Sequence, residues 1–74
     1  MGNQQDEAAR KKLGERLKKA REKVNLTQAE VAERTEMAVN YYAMIERGEV
    51  NPSFDKIRRL FKLLKLKSSD IPLN

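Results

Sequence analysis

Leu26-Thr27-Gln28-Ala29-Glu30-Val31 constrains this chain more than any other stretch of it. Thr27 and Glu30 have the spacing of a capping box, in which the threonine hydroxyl accepts from a backbone N–H three residues on and the glutamate carboxylate reaches back to the cap. Leu26 and Val31 flank it as a hydrophobic staple. A short helix therefore starts at Gln28 and runs to about Arg34. Upstream, Leu13, Leu17, Ala20 and Val24 recur at steps of four, three and four, with Arg16, Lys18, Lys19, Arg21 and Lys23 between them. That is an amphipathic helix, starting near Asp6 and stopping at Asn25, a residue type that tolerates the left-handed conformation at a helix end. The next helix begins within two residues of that stop.

Downstream the same alternation of helix and punctuation continues. After a connection at Thr35 to Met37, Tyr42 and Ile45 form a third apolar set, with Ala38 and Tyr41 beside it and Gly48 as its stop. Asn51-Pro52-Ser53 is a turn that ends in an N-cap, and Asp55 suits the positive end of the helix that follows. The apolar stripe of that helix is Phe54, Ile57, Leu60, Phe61 and Leu64, with Lys56, Arg58, Arg59 and Lys62 turned outward. Ser68-Ser69-Asp70 caps a last short turn before Pro72. No strand-like alternation or internal repeat appears, so the expected fold is all-α, a compact bundle of about five short helices. Residues 1–9 are read as a frayed N-terminal extension together with the start of the first helix, and residues 10–74 as a single domain.

The chain contains no histidine and no cysteine in its 74 residues. Disulfides and thiolate metal sites are excluded, and the usual zinc ligand and general base are both missing. Carboxylates and lysines remain, but no pair of them is spaced for acid/base work, so no enzyme, metal or cofactor is expected. Every apolar run is far shorter than the ~20 residues of a membrane span, and the polar start is unlike a signal peptide. Asp6 stands where a myristoylation motif needs Ser or Thr. A soluble, cytoplasmic protein without a membrane or small-molecule partner is the expectation. The net charge of +5 suits an anionic partner, nucleic acid first. Its distribution is uneven: residues 1–24 hold eight basic and four acidic side chains, residues 25–52 two and five, and residues 53–74 six and two.

Leu13-Gly14-Glu15-Arg16-Leu17, the capping-box segment through Ala32, Ile45-Glu46-Arg47-Gly48 and Asn51-Pro52-Ser53 occur in an order and spacing that closely resemble helix-turn-helix regulators of the phage repressor and Cro (XRE-like) type. The resemblance covers about residues 10–71 and implies a lambda-repressor-like DNA-binding domain with a central helix-turn-helix. Small Ala32 stands where the two helices of that unit approach, with Val31, Met37, Tyr42 and Ile45 inward.

By resemblance, residues 38–47 form the recognition helix, and Ala38, Val39, Asn40, Ala43 and Met44 face the bases. Asn40 can pair bidentately with adenine, and Val39, Ala43 and Met44 can meet thymine methyls. Thr27, Gln28, Arg47, Asn51 and Lys56 are the implied phosphate contacts. Arg21 and Glu46 are the implied structural ion pair, Arg21 also being open to phosphate positioning. Tyr42 is read as core; Tyr41 and Met44 are open between packing and reading. Leu63, Leu66, Ile71 and Leu73 either complete the core or join two copies.

The function implied is a small sequence-specific regulator, a repressor or controller. It would act as a homodimer occupying a palindromic operator in double-stranded DNA, and would be nucleoid-associated if bacterial or phage. A module of the same fold that binds a protein instead, antitoxin-like or a regulatory partner subunit, is the alternative. Family members usually carry glycine where Glu36 and Lys65 stand, and often a Ser or Thr cap where Ala38 stands.

Overall fold

In a computed structural model the described residues, 4–67 and 69, form four helices: α1 (Gln4–Lys23), α2 (Gln28–Arg34), α3 (Val39–Glu46) and α4 (Phe54–Leu64). Ser68, Asp70, Ile71, Pro72 and Leu73, on which the expected fifth helix and part of the apolar tail rest, lie outside the described residues, as do residues 1–3. Helix α1 begins two residues ahead of Asp6.

Two of the three interior starts have a side-chain cap. The Thr27 hydroxyl accepts from the Glu30 N–H at 3.0 Å, and the Glu30 carboxylate accepts from the Thr27 N–H at 2.8 Å. The Ser53 hydroxyl accepts from the Lys56 N–H at 3.3 Å. Ala38 caps α3 with no side-chain bond.

All four helices end on a residue in the left-handed region: Asn25 (φ 59°), Glu36 (φ 60°), Gly48 (φ 75°) and Lys65 (φ 59°). After α1, α2 and α3 the same two bonds recur, from the left-handed residue and from the one after it. Asn25 donates to Glu22 and Leu26 to Arg21; Glu36 donates to Glu33 and Met37 to Ala32; Gly48 donates to Ile45 and Glu49 to Met44. These are Schellman closures, which satisfy carbonyls that the helix leaves without partners. After α4, Leu66 N–H returns to the Phe61 carbonyl at 2.9 Å. Glycine fills only one of the four positions, so the strain of the left-handed conformation, about 1 kcal/mol or more per residue, falls on Glu36 and Lys65 and is least for Asn25.

Leu13 and Leu17 of α1, Val31 and Ala32 of α2, Tyr42 and Ile45 of α3, and Leu60, Phe61 and Leu64 of α4 form one core. Ala20 and Ile57 pack half-buried against it, but two residues assigned to apolar stripes from periodicity are exposed. Val24 is 41% exposed, because α1 has ended and Val24 lies in the closing turn. Phe54 is 73% exposed, because it is the first residue of α4 and side chains lean toward a helix N-terminus, here past the edge of the core.

Gly14 sets the approach of α1 to α3. A Cβ there would lie 2.6 Å from the Ile45 carbonyl oxygen and closer still to that of Glu46, so only glycine lets the two backbones meet. No helix among the described residues is long and apolar enough to cross a membrane.

Candidate nucleic-acid interface

Helices α2 and α3 are held at a fixed angle by a short, fully bonded turn. Ala32 and Val31 are buried, and the Thr35 hydroxyl, itself buried, donates to the Val31 carbonyl at 2.7 Å instead of facing solvent. Arg59 of α4 donates to the Thr35 carbonyl at 3.3 Å and lies 3.7 Å from Glu36, so α4 supports the turn from outside.

With its angle fixed, α3 has two unlike sides. Tyr42, Ile45 and Glu46 are buried, whereas Ala38, Val39 and Asn40 at its start are exposed and Ala43 and Met44 are half-buried behind them. The five positions assigned to base reading thus share an accessible surface. Tyr42 is core; its hydroxyl is buried beside the Glu46 carboxylate, and burial together with its interaction with that carboxylate pushes its pKa above the ordinary tyrosine value.

Beneath α3 lies a polar network that joins three helices. Arg21 Nε donates to Glu46 Oε2 at 2.7 Å and Nη2 to Oε1 at 3.1 Å, while Nη1 donates to the Leu26 carbonyl at 3.0 Å. Gln28 Nε2 donates to Glu46 Oε1 at 2.9 Å. Burial of the Glu46 carboxyl opposes its ionisation, but the hydrogen bonds from Arg21 and Gln28 outweigh that and hold it below the usual carboxylate range. The hydrogen bond to Glu46 likewise raises the Arg21 pKa. Gln28, to which the resemblance assigns a phosphate contact, therefore has its amide nitrogen committed inward to Glu46. Nothing in the residues before the fold links Gln28 to Glu46, since the contact spans eighteen positions.

Next to the exposed side of α3, Arg47 is exposed and makes two bonds to Glu49, at 2.9 and 3.1 Å. Asn51 is exposed, and the Lys56 ammonium lies 5.7 Å from the Tyr41 ring centroid, a cation–π distance that joins the first turn of α4 to α3. Thr27 is exposed with its hydroxyl engaged in the α2 cap.

Folding also changes the meaning of the acidic excess in residues 25–52. Glu46 is paired by Arg21 from α1, Glu36 lies near Arg59 from α4, and Glu49 is paired by Arg47. Glu30 spends its carboxylate on the Thr27 N–H, a bond that keeps its pKa low. Of these cations only Arg21 and Arg59 come from the flanking helices, and of the two contacts only that of Arg21 with Glu46 is shielded from solvent.

Residues 17–71 match the profile of the family described as Helix-turn-helix. Among solved structures, the chain is similar to the crystal structure of the restriction-modification controller protein C.AhdI from Aeromonas hydrophila. The TM-score is 0.80 and the identity 28%, over 88% of this chain and 98% of that one. No curated protein matches the chain.

Proposed function

This chain belongs to the helix-turn-helix family, and we propose that it is a sequence-specific double-stranded DNA-binding protein that regulates transcription by occupying its operator. The observation that carries the reading is the two-sided α3. Tyr42 and Ile45 anchor it in the core while Ala38, Val39, Asn40, Ala43 and Met44 share its accessible side. A helix held this way fits the major groove with its first turns against base edges. Asn40 pairs with adenine through both amide atoms, and Val39, Ala43 and Met44 contact thymine methyls, which favours half-sites containing A·T pairs. Thr27, Gln28, Arg47, Asn51 and Lys56 set register on the phosphates. The similarity to a restriction-modification controller protein supports a regulatory role over an enzymatic one.

The working form is a two-fold dimer joined near Leu63 and Leu66, with Ile71 and Leu73 contributing, so that two copies of α3 read a palindrome with half-sites about 34 Å apart. It acts in the cytoplasm, within the nucleoid of a bacterial or phage host, and uses no cofactor. Residues 10–74 are the binding domain and residues 1–9 its extension.

Selection of bound sequences from random duplexes, followed by titration at two salt concentrations, tests the reading. The expected result is a symmetric site whose affinity falls with salt; no affinity at low salt for any selected duplex overturns it.

One observation favours a second reading. Val39 is 48% exposed at the start of α3, and Glu30, Glu33 and Glu36 are exposed on and after α2, a mixed apolar and acidic surface suited to a protein groove. A partner retained by an Asn40→Ala, Arg47→Ala variant that no longer binds DNA would support it.

A further inference from the structure

Lys56 is held at both ends. Its backbone N–H donates to the Ser53 cap at 3.3 Å, and its ammonium lies 5.7 Å from the centroid of the Tyr41 ring. Tyr41 is half-buried on α3, between exposed Asn40 and buried Tyr42. Two neighbouring cations of α4 are held differently: Arg58 pairs with Asp55 at 2.8 Å, and Arg59 pairs with Asp55 at 2.9 Å and lies 3.7 Å from Glu36. Among the described residues no carboxylate pairs with Lys56, and its ammonium has the ring instead.

The difference matters for an ammonium that is to meet a phosphate. A carboxylate partner would cancel its charge and repel the DNA backbone. An aromatic face attracts the cation through its quadrupole and carries no net charge, so it orients the ammonium and leaves the charge available. A lysine on its flexible four-carbon stem loses much side-chain freedom when its head is fixed, and a contact already made in the free protein takes part of that loss before DNA arrives. The ring belongs to α3 and the lysine to α4, so the contact also ties one helix to the other. Given the DNA-binding function proposed above, on which this inference rests, we propose that Tyr41 is a positioning residue. Its ring holds the Lys56 ammonium where it meets phosphate, and so couples the backbone register set by α4 to the base contacts of α3.

Titrations of the selected duplex test it, with Tyr41→Phe and Tyr41→Leu made in the parent protein and in Lys56→Gln. Tyr41→Leu is expected to weaken binding about fivefold for each copy bound, and Tyr41→Phe, which keeps the ring, to stay within about twofold of the parent. Lys56→Gln is expected to lower the slope of log affinity against log salt by about one for each copy. Adding Tyr41→Leu to it should then cost nothing more. In the free parent protein the Lys56 side-chain protons should resonate upfield, shielded by the ring, and return to ordinary positions in Tyr41→Leu. Parent-like binding by Tyr41→Leu, or no upfield shift in the parent, overturns the proposal. So does an equal loss in Tyr41→Phe, which would make the hydroxyl a direct DNA contact, or an undiminished loss from Tyr41→Leu in the Lys56→Gln background, which would make the ring structural only. Each of these outcomes leaves the DNA-binding function standing, whereas a parent protein that binds no duplex overturns that function and this proposal together.

Discussion

The Arg21 guanidinium and the Glu46 carboxylate meet fork to fork, 25 residues apart in sequence, at the point where the end of α1, the start of α2 and the end of α3 converge. The Glu46 side chain is only 3% exposed and that of Arg21 12%, so removing either partner strands a charge. Arg21→Ala is expected to cost about 3–5 kcal/mol, a large share of the roughly 5–15 kcal/mol that holds a small domain together. Arg21→Lys keeps the charge but loses the planar fork and the bond to Leu26, so it should also be clearly destabilised. Urea unfolding of the three proteins measures both; a loss below about 1 kcal/mol for Arg21→Ala would place this pair with exposed ones.

The same carboxylate gives the fold a pH dependence of defined sign. Glu46 titrates below its ordinary value of 4.5 in the folded state, so its contribution is fully present above that value and is lost as pH falls through the lower folded pKa. Stability should therefore decline in acid more steeply in the parent protein than in Glu46→Gln. The gap between the two, large at pH 7, should narrow below about pH 4.5. Denaturation midpoints taken from pH 7 down to pH 2 follow it directly; a gap that stays constant with pH contradicts the assignment.

Local signals were legible where local physics decides them. The Thr27–Glu30 cap, the Ser53 cap, and the stops at Asn25 and Gly48 rest on bonds within a few residues, and each stands in the structure as its residue types imply. Periodicity failed at the helix ends, where Val24 and Phe54 keep the right phase but have no neighbouring element above them. The two-sidedness of α3 was legible because the phase that buries Tyr42 and Ile45 exposes Asn40. What sequence could not supply was long-range pairing. Gln28 turning to Glu46 and Arg59 bracing the Thr35 turn depend on how helices far apart in the chain are set side by side.

Glu36 is held at φ 60° in the turn between α2 and α3, where a side chain is strained and glycine is not. Glu36→Gly should remove that strain and a 3.7 Å contact with Arg59 between largely exposed groups that contributes little. The net gain is expected to reach about 1 kcal/mol, an upward shift of roughly 4–8 °C in Tm for a domain of this size. Glu36→Ala removes the same carboxylate without relieving the backbone and should give no such gain, so thermal unfolding of the two variants separates strain from charge.

Gly14 makes the opposite prediction from helix propensity. In a free helix Gly→Ala stabilises by up to about 1 kcal/mol. Here the new methyl would press on the Ile45 and Glu46 carbonyls, which are backbone atoms and cannot rotate aside. Gly14→Ala should therefore destabilise, by about 1–3 kcal/mol as for overpacked sites. The sign alone, read from an unfolding curve, decides whether α1 and α3 approach as closely as the structure has them.

If α3 reads DNA as proposed, two substitutions on it should fail in different ways. Asn40 is exposed at the start of α3, and as an adenine reader its loss removes discrimination at one base pair. Asn40→Ala should cost about 1–3 kcal/mol on the preferred sequence, and little on duplexes altered at that position. Arg47 is exposed at the end of α3 and bonded to Glu49, so as a phosphate contact it carries charge and no base information. Arg47→Ala should weaken every duplex alike and lower the slope of log affinity against log salt by about one. Salt-dependent titrations on the selected site and on single-base variants distinguish the two patterns. If Asn40→Ala weakens all sequences equally and leaves their ranking intact, Asn40 reads no base and the specificity must come from Val39, Ala43 and Met44 or from the shape of the DNA.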